Sequence, residues 1–336
     1  MPQAFPAGEA LPPRGGGGIA GSMTQDLPTP ARTLKIGTRG SPLALWQAHE
    51  VRRSLMVAFA LPEEAFEIVV IKVTGDQIQD KSLREAGGKG LFTREIEEAL
   101  LDGSIDIAVH SMKDMPVLQP EGLILDCYLP REDVRDAFVS HRYGSIRDLP
   151  QGAVVGSSSL RRRAQLAHVR PDLQLVEFRG NVQTRMKKLE EGVADATFLA
   201  MAGLNRLGMS ALATGAIETE EMLPAVAQGA IGVERRTDDE ATAALLAAIH
   251  DHETGLRLTA ERAFLARLDG SCQTPIAGLA LIEGETLTLR GEILRPDGSE
   301  VIRDQISGPC VEGETIGKKL AEMLLSRAAD DFFIQH

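Results

Sequence analysis

One arrangement recurs along this chain and limits what it can fold into. A short apolar strand ends in a polar loop carrying hydroxyls or glycine beside arginine, and an amphipathic helix begins. The first instance is Ile36-Gly37-Thr38-Arg39-Gly40-Ser41-Pro42, where Ser41 is placed to cap a helix with Pro42 at its first position. The second runs from Val155 to Arg163 and sets Ser157, Ser158 and Ser159 ahead of Arg161, Arg162 and Arg163. The third runs from Glu177 to Arg185 and contains Arg179, Asn181 and Arg185. Around these loops, apolar β-branched runs at 34–38, 66–73, 105–110, 153–156, 173–178, 196–200 and 230–233 read as strands. Helical periodicity falls at 92–101, 239–250 and 254–268. Such alternation predicts α/β layers with largely parallel sheets.

The C-terminal part changes character. Segments 275–281, 286–294 and 301–307 read as a meander, followed by a helix at 311–328, which predicts a small α+β domain. A length of 336 residues suits two or three domains. Residues 1–32 hold a glycine run and several prolines without apolar periodicity. They are expected to be a disordered extension, and no secretory apolar region is present in them.

Each loop would offer unpaired backbone N–H groups and the positive end of a helix dipole to an anion. Arginine adds a planar fork suited to carboxylate or phosphate. The plain alternative is that Ser, Thr and Asn are ordinary caps and the arginines are solvated. Three such loops in one chain weigh against it. Between Arg161 and Lys188 eight basic residues are opposed only by Asp172 and Glu177, a local +6 within a chain of net charge −12. That asymmetry suggests a focused field for a small polyanion.

Nucleic acid is the rival anion. The overall acidity, 4% aromatic content and a single aromatic (Phe178) inside the basic stretch argue against it. Consecutive arginines also diverge by about 100° on a helix, so three cannot face one groove. The glycines form neither a G-x-G-x-x-G nor a Walker loop, so no nucleotide cofactor is indicated. No apolar run approaches the ~18 residues of a membrane span.

Two further positions stand out. Ile107-Ala108-Val109-His110-Ser111-Met112-Lys113-Asp114 begins as a buried strand and ends in a polar turn. That puts Lys113 and Asp114 at the strand ends where α/β proteins bind ligands. A carboxylate there can stabilise a developing cation or handle a proton, although an Asx turn before Pro116 would also account for Asp114. Cys272 lies in the glycine-led loop Asp269-Gly270-Ser271-Cys272-Gln273-Thr274-Pro275, where an accessible thiol could serve as a covalent attachment point. Cys127 and Cys310 read as packing residues. Three distant cysteines without a C-x-x-C pair predict neither disulfide nor zinc, and fit reduced thiols in a cytoplasmic protein. His250 and His252, two apart on a helical segment, diverge and form no metal pair, so no metal is expected.

Taken in order, seven segments resemble the porphobilinogen deaminase (hydroxymethylbilane synthase) family. They are Gly37–Leu45, Gly87–Phe92, Ala108–Asp114, Ser158–Arg162, Arg179–Val182, Leu223–Ala230 and Gly270–Gln273. The resemblance extends from about Leu34 to the C-terminus. It implies two α/β domains built like the lobes of periplasmic binding proteins, joined by a double crossover, and a small C-terminal α+β domain. The implied boundaries are 33–130 with 229–248, 131–228, and 249–336.

The resemblance also implies a dipyrromethane cofactor bonded to Cys272. On it, a transferase joins four porphobilinogen molecules head to tail, with loss of ammonia, into hydroxymethylbilane. Asp114 matches the family's catalytic carboxylate. Arg39, Ser41, Lys113, Ser157, Ser159, Arg161, Arg162 and Gln228 match cofactor-binding positions. Arg39, Lys89, Phe92, Ser111, Arg179 and Arg185 match substrate-binding ones. Many relatives carry a lysine four residues before Lys89. Here that position is Glu85, so it is given no substrate role, and the 77–90 loop is expected to move. The implied protein is a cytoplasmic monomer that binds neither nucleic acid nor membrane. The competing reading is a non-enzymatic carboxylate-binding module of periplasmic-binding type.

Overall fold

The computed structural model describes residues 27–74, 93–270 and 274–334. In chain order the first elements are β1 (Leu34–Arg39), α1 (Pro42–Phe59), β2 (Phe66–Ile71), α2 (Arg94–Leu101), β3 (Ile107–Ser111) and β4 (Leu123–Tyr128). There follow β5 (Asp136–Val139), β6 (Val154–Gly156), α3 (Leu160–Val169), β7 (Gln174–Val176), α4 (Val182–Glu190), β8 (Ala196–Ala200), α5 (Met201–Arg206) and β9 (Gly215–Ile217). The chain then forms β10 (Ile231–Arg236), α6 (Glu240–Ala247), α7 (His252–Arg267), β11 (Ile276–Glu283), β12 (Thr286–Leu294), β13 (Val301–Pro309) and α8 (Gly313–Leu325).

Two five-stranded sheets share one plan. Their orders are β2-β1-β3-β10-β4 and β7-β6-β8-β5-β9. In the first, β1 is parallel to β2 and β3, whereas β10 is antiparallel to β3 and β4. In the second, β6 is parallel to β7 and β8, whereas β5 is antiparallel to β8 and β9. The expectation of largely parallel sheets therefore holds for half of each sheet. The reversed strands, β10 and β5, follow passages between the lobes rather than helical crossovers, so nothing imposes the parallel direction. Strands β4, β5 and β9 were not anticipated. The third sheet is the expected meander, β11-β12-β13, antiparallel throughout. Helices α7 and α8 cover it, with Phe264, Leu289, Ile293, Leu320 and Leu324 in the shared core.

The expected extension at 1–32 is corrected at its end. Leu27 packs on the first-lobe core and Thr29 bridges Arg32, so residues 27–32 are part of the fold. Residues 1–26 lie outside the described residues.

The chain passes from the first lobe to the second between β4 and β5, and returns between β9 and β10. The two passages touch. The Glu132 N–H donates to the Gly229 carbonyl (3.1 Å), and Arg131 Nε donates to the Gln228 carbonyl (2.9 Å). Gly229 has φ +87°, and a Cβ there would fall 2.5 Å from the Glu132 carbonyl oxygen, so only glycine fits. From the C-terminal unit, the fully buried Glu261 of α7 accepts from Arg131 and from the N–H groups of Ala227 (2.6 Å) and Ala280 (2.8 Å). One carboxylate thus joins both passages to the strand that follows the Cys272 loop.

Candidate active site

The strand ends of β1 and β3 open into a pocket lined by Arg39, Ser41, Gln47, His110, Ser111 and Asp114. Helix α1 starts there because Ser41 Oγ accepts the Ala44 N–H (3.2 Å) and Pro42 needs no acceptor. Ser111 exchanges hydrogen bonds with the buried Gln47 at 2.8 and 3.1 Å. After β3 the chain makes one 3₁₀ turn, Met112–Asp114. Met112 and Met115 are buried in the core of the C-terminal unit on either side of Lys113 and Asp114. Arg262 of α7 donates to the Pro116 and Val117 carbonyls at 2.9 and 3.1 Å. The exposed Asp114 carboxylate is therefore carried on a turn held by side chains from another unit.

Lys113 points toward the lobe junction, its Nζ 3.4 Å from Gln228 Oε1. Burial is the main cause that pushes its ammonium down to about 8, aided by Arg162 and Arg161 and opposed by Asp114 and Asp136. The fully buried Gln228, on the return passage, donates through Nε2 to the Val134 carbonyl (2.8 Å) and to Asp136 Oδ1 (3.0 Å).

Asp136, at the start of β5, is the residue the sequence reading missed. Arg161 Nη1 donates to its Oδ2 (2.7 Å), and Arg162 donates to Oδ1 through Nη2 (2.7 Å) and Nε (3.2 Å). The two consecutive arginines diverge on α3, yet their long side chains reach opposite oxygens of one carboxylate. Burial would raise the Asp136 carboxyl. The two guanidiniums overcome that and hold it well below the usual carboxylate range. Ser159 caps α3 (Arg162 N–H, 3.4 Å), and the buried Ser157 Oγ accepts the Ser159 N–H (3.2 Å).

The local +6 is smaller in space than in sequence. Asp172 and Glu177, already counted, pair with Arg170 and Arg179, and two carboxylates from outside the stretch reduce it further: Asp136 answers Arg161 and Arg162, and Glu191 answers Lys187. Arg185 donates to the Gly180 carbonyl (2.9 Å), and burial first, then Arg162, lowers its guanidinium to about 10. Phe178 is fully buried beneath Lys188 Nζ and offers no stacking platform. A second unanticipated residue, Arg206, donates to the Gly229 carbonyl (2.7 Å) and lies 5.8 Å from the centre of the Trp46 ring on α1. Its contacts are all distant in sequence, so no local pattern marks it.

Cys272, Lys89, Phe92 and Glu85 lie outside the described residues. The strand after Cys272 is placed. The Gly278 N–H donates to the Pro224 carbonyl (3.0 Å), one residue from Leu223, whose carbonyl accepts from Arg161 (3.1 Å). Cys127 and Cys310 are buried free thiols, and burial pushes that of Cys127 up to about 12.

Two features suit a carboxylate-rich cofactor. Among the described residues, Arg161 Nε is buried with no acceptor, and Lys113 is a cation pushed down by burial beside a single neutral amide contact. Buried donors and cations of this kind call for anionic partners.

The family model "Porphobilinogen deaminase, dipyromethane cofactor binding domain" matches residues 34–244, and "Porphobilinogen deaminase, C-terminal domain" matches residues 255–326. Porphobilinogen deaminase of Paracoccus denitrificans is 70% identical over 311 residues, covering 93% of this chain and 99% of that one. The Nitrobacter winogradskyi enzyme is 53% identical over 298 residues, covering 89% and 94%. Among solved structures, the Bordetella pertussis BvgS periplasmic VFT2 domain matches with TM-score 0.39 at 15% identity, covering 69% of this chain and 92% of that one. The sheet orders, rather than that likeness, carry the fold assignment. These matches leave no support for the non-enzymatic carboxylate-binding module. The chain belongs to the porphobilinogen deaminase family.

Proposed function

We propose that this chain is a hydroxymethylbilane synthase in which Asp114 acts on each pyrrole unit and the basic residues around Asp136 hold the carboxylates. The reaction joins four porphobilinogens head to tail, releases an ammonia at each step and ends when water cleaves the new chain from the dipyrromethane and releases hydroxymethylbilane. The observation that carries the reading is the exposed Asp114 carboxylate in a pocket with Arg39, Ser41 and Ser111, at the strand ends beside the lobe junction.

Departure of the amine leaves positive charge on the pyrrole. A fixed carboxylate stabilises that charge and can take the proton lost when the new carbon–carbon bond forms. A dipyrromethane bound through Cys272 supplies the carbon at which the chain grows. Lys113, Ser157, Ser159, Arg161, Arg162 and Gln228, with Arg39 and Ser41, would hold its acetate and propionate groups. Lys89, Phe92, Ser111, Arg179 and Arg185 would receive the incoming unit. The three sheets support domains at 27–130 with 229–248, 131–228, and 249–336. The buried free thiols of Cys127 and Cys310 support a cytoplasmic setting, and we propose a monomer.

The test is the intact mass of the denatured protein. Two pyrrole units above the sequence mass, lost in Cys272→Ser, is the expected result. An unmodified mass in active enzyme overturns the reading.

A further inference from the structure

A line of buried polar side chains leaves the arginine pair in the other direction, into the C-terminal unit. Arg161 Nη1 donates to Gln165 Oε1 (3.0 Å), one turn along α3. Gln165 Nε2 donates to the Leu223 carbonyl (3.0 Å) and to Oε1 of Glu292 on β12 (2.9 Å). Gln165 and Glu292 are each 6% exposed. The cross-strand neighbour Arg303 lies 3.4 Å from the other Glu292 oxygen. Two residues beyond Glu292, the Leu294 N–H donates to the Pro275 carbonyl, at the end of the Cys272 loop.

The geometry fixes which way the Gln165 amide points. Its NH₂ faces two acceptors, Leu223 O and Glu292, and its oxygen faces a donor. A flipped amide would set oxygen against oxygen on one side and NH₂ against guanidinium on the other. Only oriented this way does Gln165 present an acceptor to Arg161. A second contact locks the same helix to the same unit: His168 Nδ1 lies 3.0 Å from the Gly298 carbonyl, in the β12–β13 turn.

We propose that Glu292 is a positioning residue for Arg161: by holding the Gln165 amide in one orientation, it couples the seating of the cofactor-bearing unit to the carboxylate-binding arginine pair. This rests on the reading of Arg161 as a ligand of the cofactor's carboxylates, whose seating sets the place where porphobilinogen binds. Glu292 touches no substrate, so its effect falls on binding rather than on chemistry.

The experiment uses holoenzyme, with cofactor content checked by intact mass, and steady-state kinetics with porphobilinogen. Glu292→Met raises KM by about two- to tenfold, the effect of one hydrogen bond, with kcat held within about twofold. Glu292→Gln restores KM, because its side-chain oxygen still accepts from Gln165. Gln165→Met has a similar effect, and the double variant is no worse than Gln165→Met alone. Arg161→Lys is the control. If it raises KM while Glu292→Met does not, or if the double variant is additive, the coupling is overturned and the reading of Arg161 stands. If Arg161→Lys changes neither KM nor cofactor content, the reading of Arg161 fails and the coupling fails with it.

Discussion

The Glu261 carboxylate takes both terminal nitrogens of Arg131, at 2.6 and 3.0 Å, with both side chains almost fully buried. The pair joins the C-terminal unit to the first interlobe passage, and the Ala227 N–H brings in the second. Removing the carboxylate strands a buried cation and two backbone donors at once. Glu261→Ala should therefore lower stability by about 3–5 kcal/mol, read as a reduced urea midpoint. Arg131→Met, which leaves the carboxylate its two backbone donors, should cost less. Equal losses would show that the backbone donors contribute nothing.

Asp136 gives a pH signature. Its carboxyl is held low in the folded protein by Arg161 and Arg162 against the cost of burial. A depressed carboxyl stabilises the fold above its unfolded value, about 3.9, and that stability is lost as pH falls through the folded value. Melting temperatures of the wild type and Asp136→Asn should differ most above about pH 5 and converge as pH falls below about 4. A gap that stays constant down to low pH would remove Asp136 as the source.

Asp136 also marks where the sequence stopped being informative. Ser41, Ser159 and Asn181 cap their helices where short local patterns place them, and the three C-terminal strands fall within two residues of expectation. Local chemistry sets those features. Asp136 lies 25 residues before Arg161, on a four-residue strand too short to show alternation. Its partnership exists only because the topology inserts β5 beside β8. The same holds for β10, whose apolar run reveals a strand but neither its sheet nor its direction. The excess of basic residues at 161–188 overstated the field because its main neutraliser lies outside that window.

Lys113 should set an upper pH limit on binding. Its ammonium is lowered to about 8, chiefly by burial. Below that value it is charged and can hold a carboxylate, and above it the charge is lost. Because the unfolded lysine keeps its proton to about 10.4, stability rises from about pH 8 to 10 while anion binding falls. A cofactor carboxylate seated beside it pushes the ammonium back up, so KM for porphobilinogen, which depends on that seating, should climb only at a pH above about 8. Lys113→Arg, which keeps its charge throughout, should remove the climb even if its KM at pH 7 is worse. An unchanged profile in that variant would exclude Lys113.

The sharpest test falls on Asp114. Its turn is pinned by Met112 and Met115 in the C-terminal core and by Arg262 on the Pro116 and Val117 carbonyls, none of which involves its side chain. Asp114→Asn is nearly isosteric and should leave that support, and the cofactor-holding residues across the junction, in place. Cofactor content by intact mass should match the wild type, while kcat falls by about 10²–10⁴-fold, the usual contribution of a positioned acid–base group. Asp114→Glu keeps the charge but displaces it by one methylene, and should fall between the two. The pattern separates roles: loss of cofactor in Asp114→Asn would make Asp114 a binding residue, and near-normal turnover would place the chemistry elsewhere in the pocket.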